Sequence, residues 1–190
     1  MSEKFQNKYR IKSARLEGYD YRNEGLYFVT ICTKEREQFF GSCENGIMHL
    51  NDVGLIAQKN WKEIPNHFPN SSLDEFVIMP NHVHGIICID KKIIVERNSA
   101  SVETYNYTSL QNNITERNKH FRDLSSPAKS LSTIIRAYKA AVTSDVKCGE
   151  LNFAWQPRFH DHIIRNNKSF VNIRQYISNN PERWDEDEYY

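Results

Sequence analysis

His82 and His84 stand one residue apart in Phe76-Val77-Ile78-Met79-Pro80-Asn81-His82-Val83-His84-Gly85-Ile86-Ile87-Cys88-Ile89, between two runs of apolar, largely β-branched residues. Alternate side chains of an extended strand share a face, so the two imidazoles project side by side while Val83 packs into the opposite face. Adjacent imidazoles on a rigid strand can hold a divalent metal. Magnesium or manganese would need carboxylate, amide or phosphate oxygens to complete the shell. A bland alternative is a solvated strand edge, but the flanking apolar strand and the Pro80-Asn81 bend argue for a built site.

Other chemistry-bearing residues gather towards the C-terminal end. His160-Asp161-His162 is a second His-x-His, set in a segment that also carries Trp155, Arg158, Phe159 and Arg165. Aromatic and cationic side chains together suit stacking on unpaired bases and pairing with phosphate. Trp155 suits a core position equally well. Among the ten tyrosines, Tyr138 falls at core spacing with Ile134, Ile135 and Val142, whereas Tyr176 sits on the flank of a later segment.

These groups need elements to hold them. Tyr27 to Thr33 reads as a first strand, with a short pairing segment near Gly46 to Leu50. Val53, Ile56, Ala57, Trp61 and Ile64 recur at helical spacing after Asn51 or Asp52 as cap, and Pro65 is expected to stop that helix. Leu73 to Met79 and His82 to Ile89 are strands separated by a bend. From Lys91 to about Ser126 hydrophobic periodicity vanishes, which reads as a long mobile insertion because the apolar pattern then resumes. Leu131 to Val146 forms a second helix, capped by Ser130 or entered through Ser126-Pro127. Trp155 to Arg165 contains a strand, and a last helix from about Asn167 carries Phe170, Ile173 and Ile177 on its buried face. This order predicts an α+β fold of ferredoxin-like type, an antiparallel sheet with helices packed on one face and a C-terminal helix carrying Tyr176.

The 190 residues suit one domain, 1–190, with the insertion at about 91–126. No apolar run is long enough to cross a bilayer, and the first residues lack a signal-peptide core, so a cytoplasmic protein without membrane partners is expected. Cys32, Cys43, Cys88 and Cys148 are widely separated and read as small buried hydrophobes. A net charge of +1 conceals an asymmetry. Lys8, Arg10, Lys12 and Arg15 belong to a basic arm suited to a phosphate backbone, while the chain from Pro181 onward is acidic.

The chain resembles the REP-associated tyrosine transposases, which belong to the single-tyrosine HUH transposases. Four segments carry the likeness: Leu16 to Thr33, Met79-Pro80-Asn81-His82-Val83-His84, Trp155 to Arg165, and Ile173-Arg174-Gln175-Tyr176-Ile177-Ser178-Asn179-Asn180-Pro181. The histidine-triad nucleotide hydrolases fit less well, since their third histidine would fall at Ile86. The resemblance implies that Tyr176 attacks a DNA phosphate and keeps the 5′ end covalently, leaving a free 3′ hydroxyl. It implies further that Asn180 joins His82 and His84 in holding magnesium or manganese. Four residues apart, Tyr176 and Asn180 lie one turn apart on one helix flank. In the family the position of His160 is more often aromatic, so His162 and Arg165 are the stronger candidates, either to orient phosphate or to support the tyrosine helix.

The expected function is metal-dependent cleavage and joining of single-stranded or hairpin DNA, palindromic repeats included, through a 5′-phosphotyrosine. Location at the nucleoid would follow when DNA is bound, and the family leaves a homodimer open. Two alternatives stand beside this: an HUH replication initiator or relaxase, and a domesticated, non-catalytic nucleic-acid-binding protein.

Overall fold

The computed structural model describes residues 19–90, 130–149 and 151–186. Lys8, Arg10, Lys12 and Arg15 of the basic arm, and the insertion at about 91–126, lie outside the described residues. Strand β1 is Gly25–Cys32. A hairpin of β2, Gly41–Glu44, and β3, Ile47–Leu50, leads into helix α1, Asp52–Lys62, and the short α2, Ile64–His67. Then come β4, Ser71–Ile78, β5, His82–Ile89, α3, Leu131–Cys148, β6, His160–Ile164, α4, Asn167–Asn179, and a 3-10 segment, Pro181–Glu186.

The main sheet runs β4-β5-β1-β6 with every neighbouring pair antiparallel, which is the ferredoxin-like order the element sequence predicts. The β2–β3 hairpin forms its own two-stranded sheet, turned by Asn45 (φ 52°) and Gly46 (φ 75°). Both residues occupy the left-handed region that a tight hairpin of matching twist demands. Three helices start where a polar side chain takes up an orphan N–H: Asn51 accepts from Gly54, Ser130 from Thr133 and Asn166 from Ser169. Asn51, not Asp52, is thus the cap of α1. Pro65 does not simply stop α1, as the spacing predicts. The helix ends at Glu63 and Pro65 lies in the first turn of α2, where a missing N–H costs nothing.

The sheet has two unequal faces. On one, Tyr27, Val29 and Ile31 of β1 and Val83 and Ile87 of β5 bury against Trp61 of α1 and Ile134, Ile135, Tyr138 and Val142 of α3. On the other, Ile86, Ile164 and Ile177 are buried with Phe28, Phe170 and Ile173 half-buried around them, so among the described residues α4, followed by the 3-10 segment with Trp184, covers this second face. Phe170 and Ile173 are therefore less deeply placed than their periodicity predicts. Cys32 is buried, but Cys148 is exposed at the end of α3, which corrects the reading of all four cysteines as buried.

Gly85 lies between His84 and Ile86, and a Cβ there would fall 2.3 Å from Cζ2 of the fully buried Trp61. The indole therefore packs directly on the backbone behind the histidines. Gly85→Ala should cost about 1–3 kcal/mol through overpacking. Urea denaturation checks this: a midpoint equal to that of the unaltered protein would show that Trp61 moves aside freely.

Candidate functional site

β5 places His82 and His84 on the α4 face of the sheet, 0% and 1% exposed, with ring centroids 4.3 Å apart. Each ring is held from behind. Nδ1 of His82 lies 2.9 Å from Oδ1 of Asn81, while Nδ2 of Asn81 donates to the carbonyl of Arg36 at 3.1 Å. The second bond fixes which end of the amide is oxygen, so Nδ1 of His82 must be the donor and Nε2 keeps its lone pair. In the matching tautomer of His84, Nδ1–H donates to Oγ1 of Thr30 at 2.9 Å. Thr30 is opposite His84 in the β1–β5 register, which is why its hydroxyl reaches the ring. Burial pushes the imidazole of His84 well below its ordinary titration range, and the neighbouring His82 pushes it the same way.

Arg36 and Glu35 both have left-handed backbone, φ 59° and 54°, in the loop that offers the carbonyl to Asn81. Thr33 pins this loop, its hydroxyl lying 2.6 Å from the carbonyl of Glu37 and 2.9 Å from that of Asn81. Non-glycine residues hold such conformations where surrounding contacts over-determine them, commonly beside functional groups.

α4 brings Tyr176 to the histidines. Its hydroxyl lies 3.1 Å from Nε2 of His84, and its ring meets Phe28 edge-on at 6.1 Å. The side chain is 43% exposed, so one edge faces solvent while the hydroxyl points at the buried imidazole. Arg174 secures the helix, with Nε 2.8 Å from Oδ1 of Asp74 on β4. Asn180 caps α4 at 2% exposure and lines the same groove as Tyr176. Trp184, in the 3-10 segment, lies 6.0 Å from the ring of His82. Sequence reasoning missed Thr30, Asn81 and Trp184 as parts of this site. A tryptophan inside an otherwise acidic tail was the one available signal.

The other candidate residues are dispersed. His160 pairs with Thr30 and His162 with Phe28 across β1, so both project from the α4 face of the sheet, exposed on the edge strand. Arg158 and Arg165 flank β6 at its two ends, also exposed. Trp155 is a core residue: its ring packs on Phe40, Phe153 and Tyr138, and its indole N–H donates to the carbonyl of Lys139. Phe159, half-buried, also packs against the core. Lys139 ties down this loop by donating to the carbonyls of Gln156 at 2.6 Å and Arg158 at 3.0 Å, and burial lowers its pKa to about 8. Tyr138 is 2% exposed and donates to the carbonyl of Ala57, far from the histidine face.

The donor set suits a divalent ion. Nε2 of His82 and Oδ1 of Asn180 are both shut off from solvent. Among the described residues no three His, Cys, Asp or Glu side chains cluster, so a third protein donor beside the imidazoles must be of another kind, and an amide oxygen qualifies.

Because His84 stays neutral in the fold, an unfolded chain binds more protons once the pH drops below the ordinary imidazole value near ~6.5. Stability should therefore be complete above that value and decline as pH falls towards the lower folded value. Denaturation midpoints between pH 7.5 and 5, measured in chelator, should fall more steeply for the unaltered protein than for His84→Asn. Parallel slopes would refute the assignment.

No protein-family model matches the chain. It is 40% identical over 180 residues to an uncharacterised protein of Haemophilus influenzae, a match spanning 94% of this chain and 92% of that one. A solved structure of a REP-associated tyrosine transposase bound to a REP hairpin superposes with a TM-score of 0.54 at 20% identity, over 90% of this chain and 74% of that one.

Proposed function

We propose, for a chain that belongs to one family with the Haemophilus influenzae protein and has the fold of a transposase solved on a DNA hairpin, that it cuts and joins strands of single-stranded or hairpin DNA through a tyrosine. The 3.1 Å contact between Tyr176 and His84 carries this reading, because it sets a solvent-reachable phenol against a buried imidazole that burial keeps neutral, with His82 beside it. His82, His84 and Asn180 would hold magnesium or manganese. When bound, such an ion withdraws charge from the scissile phosphate and offsets charge on the leaving oxygen.

The residues of the chain do the rest. The phenolic oxygen of Tyr176 forms a bond to phosphorus as the bond to the 3′ oxygen breaks. The 5′ phosphate stays on the tyrosine, and the 3′ oxygen gains a proton as the phenol loses one. One phosphate ester replaces another, so the step is reversible and rejoining needs no outside energy. A phenol titrates near ~10 in water; with Nε2 of His84 given to the ion, the phenolic proton leaves through the solvent that reaches the 43% exposed Tyr176, and the 3′ oxygen is protonated from the same solvent. Arg158, His162, Arg165 and the arm residues Lys8, Arg10, Lys12 and Arg15 supply contacts to the DNA backbone.

Asn81 and Thr30 position the two rings. Asn81→Ala should reduce adduct formation about 10- to 100-fold while the protein stays folded, the usual cost of removing the partner that orients a metal-binding histidine. Rates within twofold of the unaltered protein would remove Asn81 from the scheme.

The decisive experiment incubates the protein with end-labelled hairpin and single-stranded DNA plus manganese, then separates products under denaturing conditions. A labelled species that co-migrates with protein, absent in chelator, is expected. Its absence on every strand tested would overturn the proposal in favour of a non-catalytic binder.

A further inference from the structure

The outer side of α4 carries amides where a solvated helix ordinarily carries lysine and glutamate. Asn172, Gln175 and Asn179 recur at intervals of three and four residues, so they form one stripe along the helix. Tyr176 lies in that stripe. Together with Asn180, Arg183 and Glu186 these residues line a single groove whose wall includes the phenol.

Two observations set the stripe apart from ordinary helix surface. Asparagine is a poor residue inside a helix, and here Asn172 occupies the middle of α4 and Asn179 its last turn. Such a local departure from helix preference is characteristic of functional surface. In addition, Asn172, Gln175 and Asn179 line the groove with amides that have no hydrogen-bond partner among the described residues. Arg174, one position away on a different side, is by contrast paired with Asp74 and Glu75.

The groove also has the wrong charge for a phosphate channel. Arg183 and Glu186 offset one another and the remaining lining is neutral amide and phenol. Amides in a fixed row match the donor and acceptor pattern of a base edge, above all the N6 and N7 of adenine. An unpaired strand leaves those edges accessible.

We propose that Asn172, Gln175 and Asn179 form a subsite for one unpaired nucleobase, adenine in preference, beside the phosphate that Tyr176 attacks. The subsite rests on the strand-cleavage reading above and adds a sequence requirement to it. Arg183 and Glu186 stand with the amides in the lining of the groove.

The test uses the full chain with manganese and a pool of single-stranded oligonucleotides, randomised at three positions on each side of the cleavage point. Adducts are isolated and the bound strands sequenced. Adenine should be enriched about tenfold at one position. In Asn172→Ala, Gln175→Ala and Asn179→Ala combined, that enrichment should fall below twofold, with helix content unchanged because alanine favours the helix. Adducts that form without preference at any position, or a preference that survives the triple substitution, would overturn the subsite and leave the cleavage reading standing. No adduct on any member of the pool would overturn both.

Discussion

Tyr176→Phe is expected to eliminate the covalent protein–DNA adduct, lowering its rate of formation by roughly 10⁴-fold or more, while leaving the fold intact. Only the hydroxyl is lost. The ring keeps its edge contact with Phe28, and Ile177 beside it stays buried. Removing that hydroxyl also frees Nε2 of His84, which it contacts at 3.1 Å. Manganese affinity, measured by calorimetry, should therefore be undiminished in the variant. Tyr138→Phe is the control. Its hydroxyl donates to the carbonyl of Ala57 in the core, so its loss should cost about 1 kcal/mol of stability and leave the adduct in place. An adduct that persists in Tyr176→Phe but vanishes in Tyr138→Phe would place the nucleophile on the opposite face of the sheet.

His82→Ala and His84→Ala should each reduce cleavage at least about a thousandfold, with DNA affinity changed only slightly, because the residues proposed to contact backbone phosphates lie elsewhere in the chain. Both rings are buried, so each substitution also leaves a cavity and lowers the denaturation midpoint. Circular dichroism and the retained DNA affinity separate loss of chemistry from loss of fold. Full nicking by either variant would remove the pair from the metal site.

The arrangement of elements was legible because the periodicities are strong. Alternating Val83 and the two histidines announced a strand with a chemical face, and Ile134, Ile135, Tyr138 and Val142 announced a core helix. Ferredoxin-like pairing followed from element order alone. Other features depend on pairing in space, which no local pattern encodes. Thr30 reaches His84 through a register spanning 54 residues of sequence, and the carbonyl of Arg36 reaches Asn81 across 45. Trp155 looked equally suited to base stacking and to the core, since its type fits both. Its contacts with Phe40, Phe153 and Tyr138 decide the matter. The short α2 escaped notice because a proline both ends one helix and starts another, and sequence spacing reads the first role more readily.

The inequality of the two sheet faces bears on motion. α4 rests on the small cluster of Ile86, Ile164 and Ile177 and on the Arg174 to Asp74 pair, whereas β1 and β5 are gripped from behind by α1 and α3. Local opening costs follow the apolar contact that must be broken. Backbone amides of α4 should thus exchange with deuterium through a partial opening that spares the sheet, while those of β1 and β5 wait for global unfolding. Tyr176, the proposed nucleophile, would then ride on a segment that opens more easily than the sheet, and would leave and regain His84 without disturbing the strand that carries the histidines.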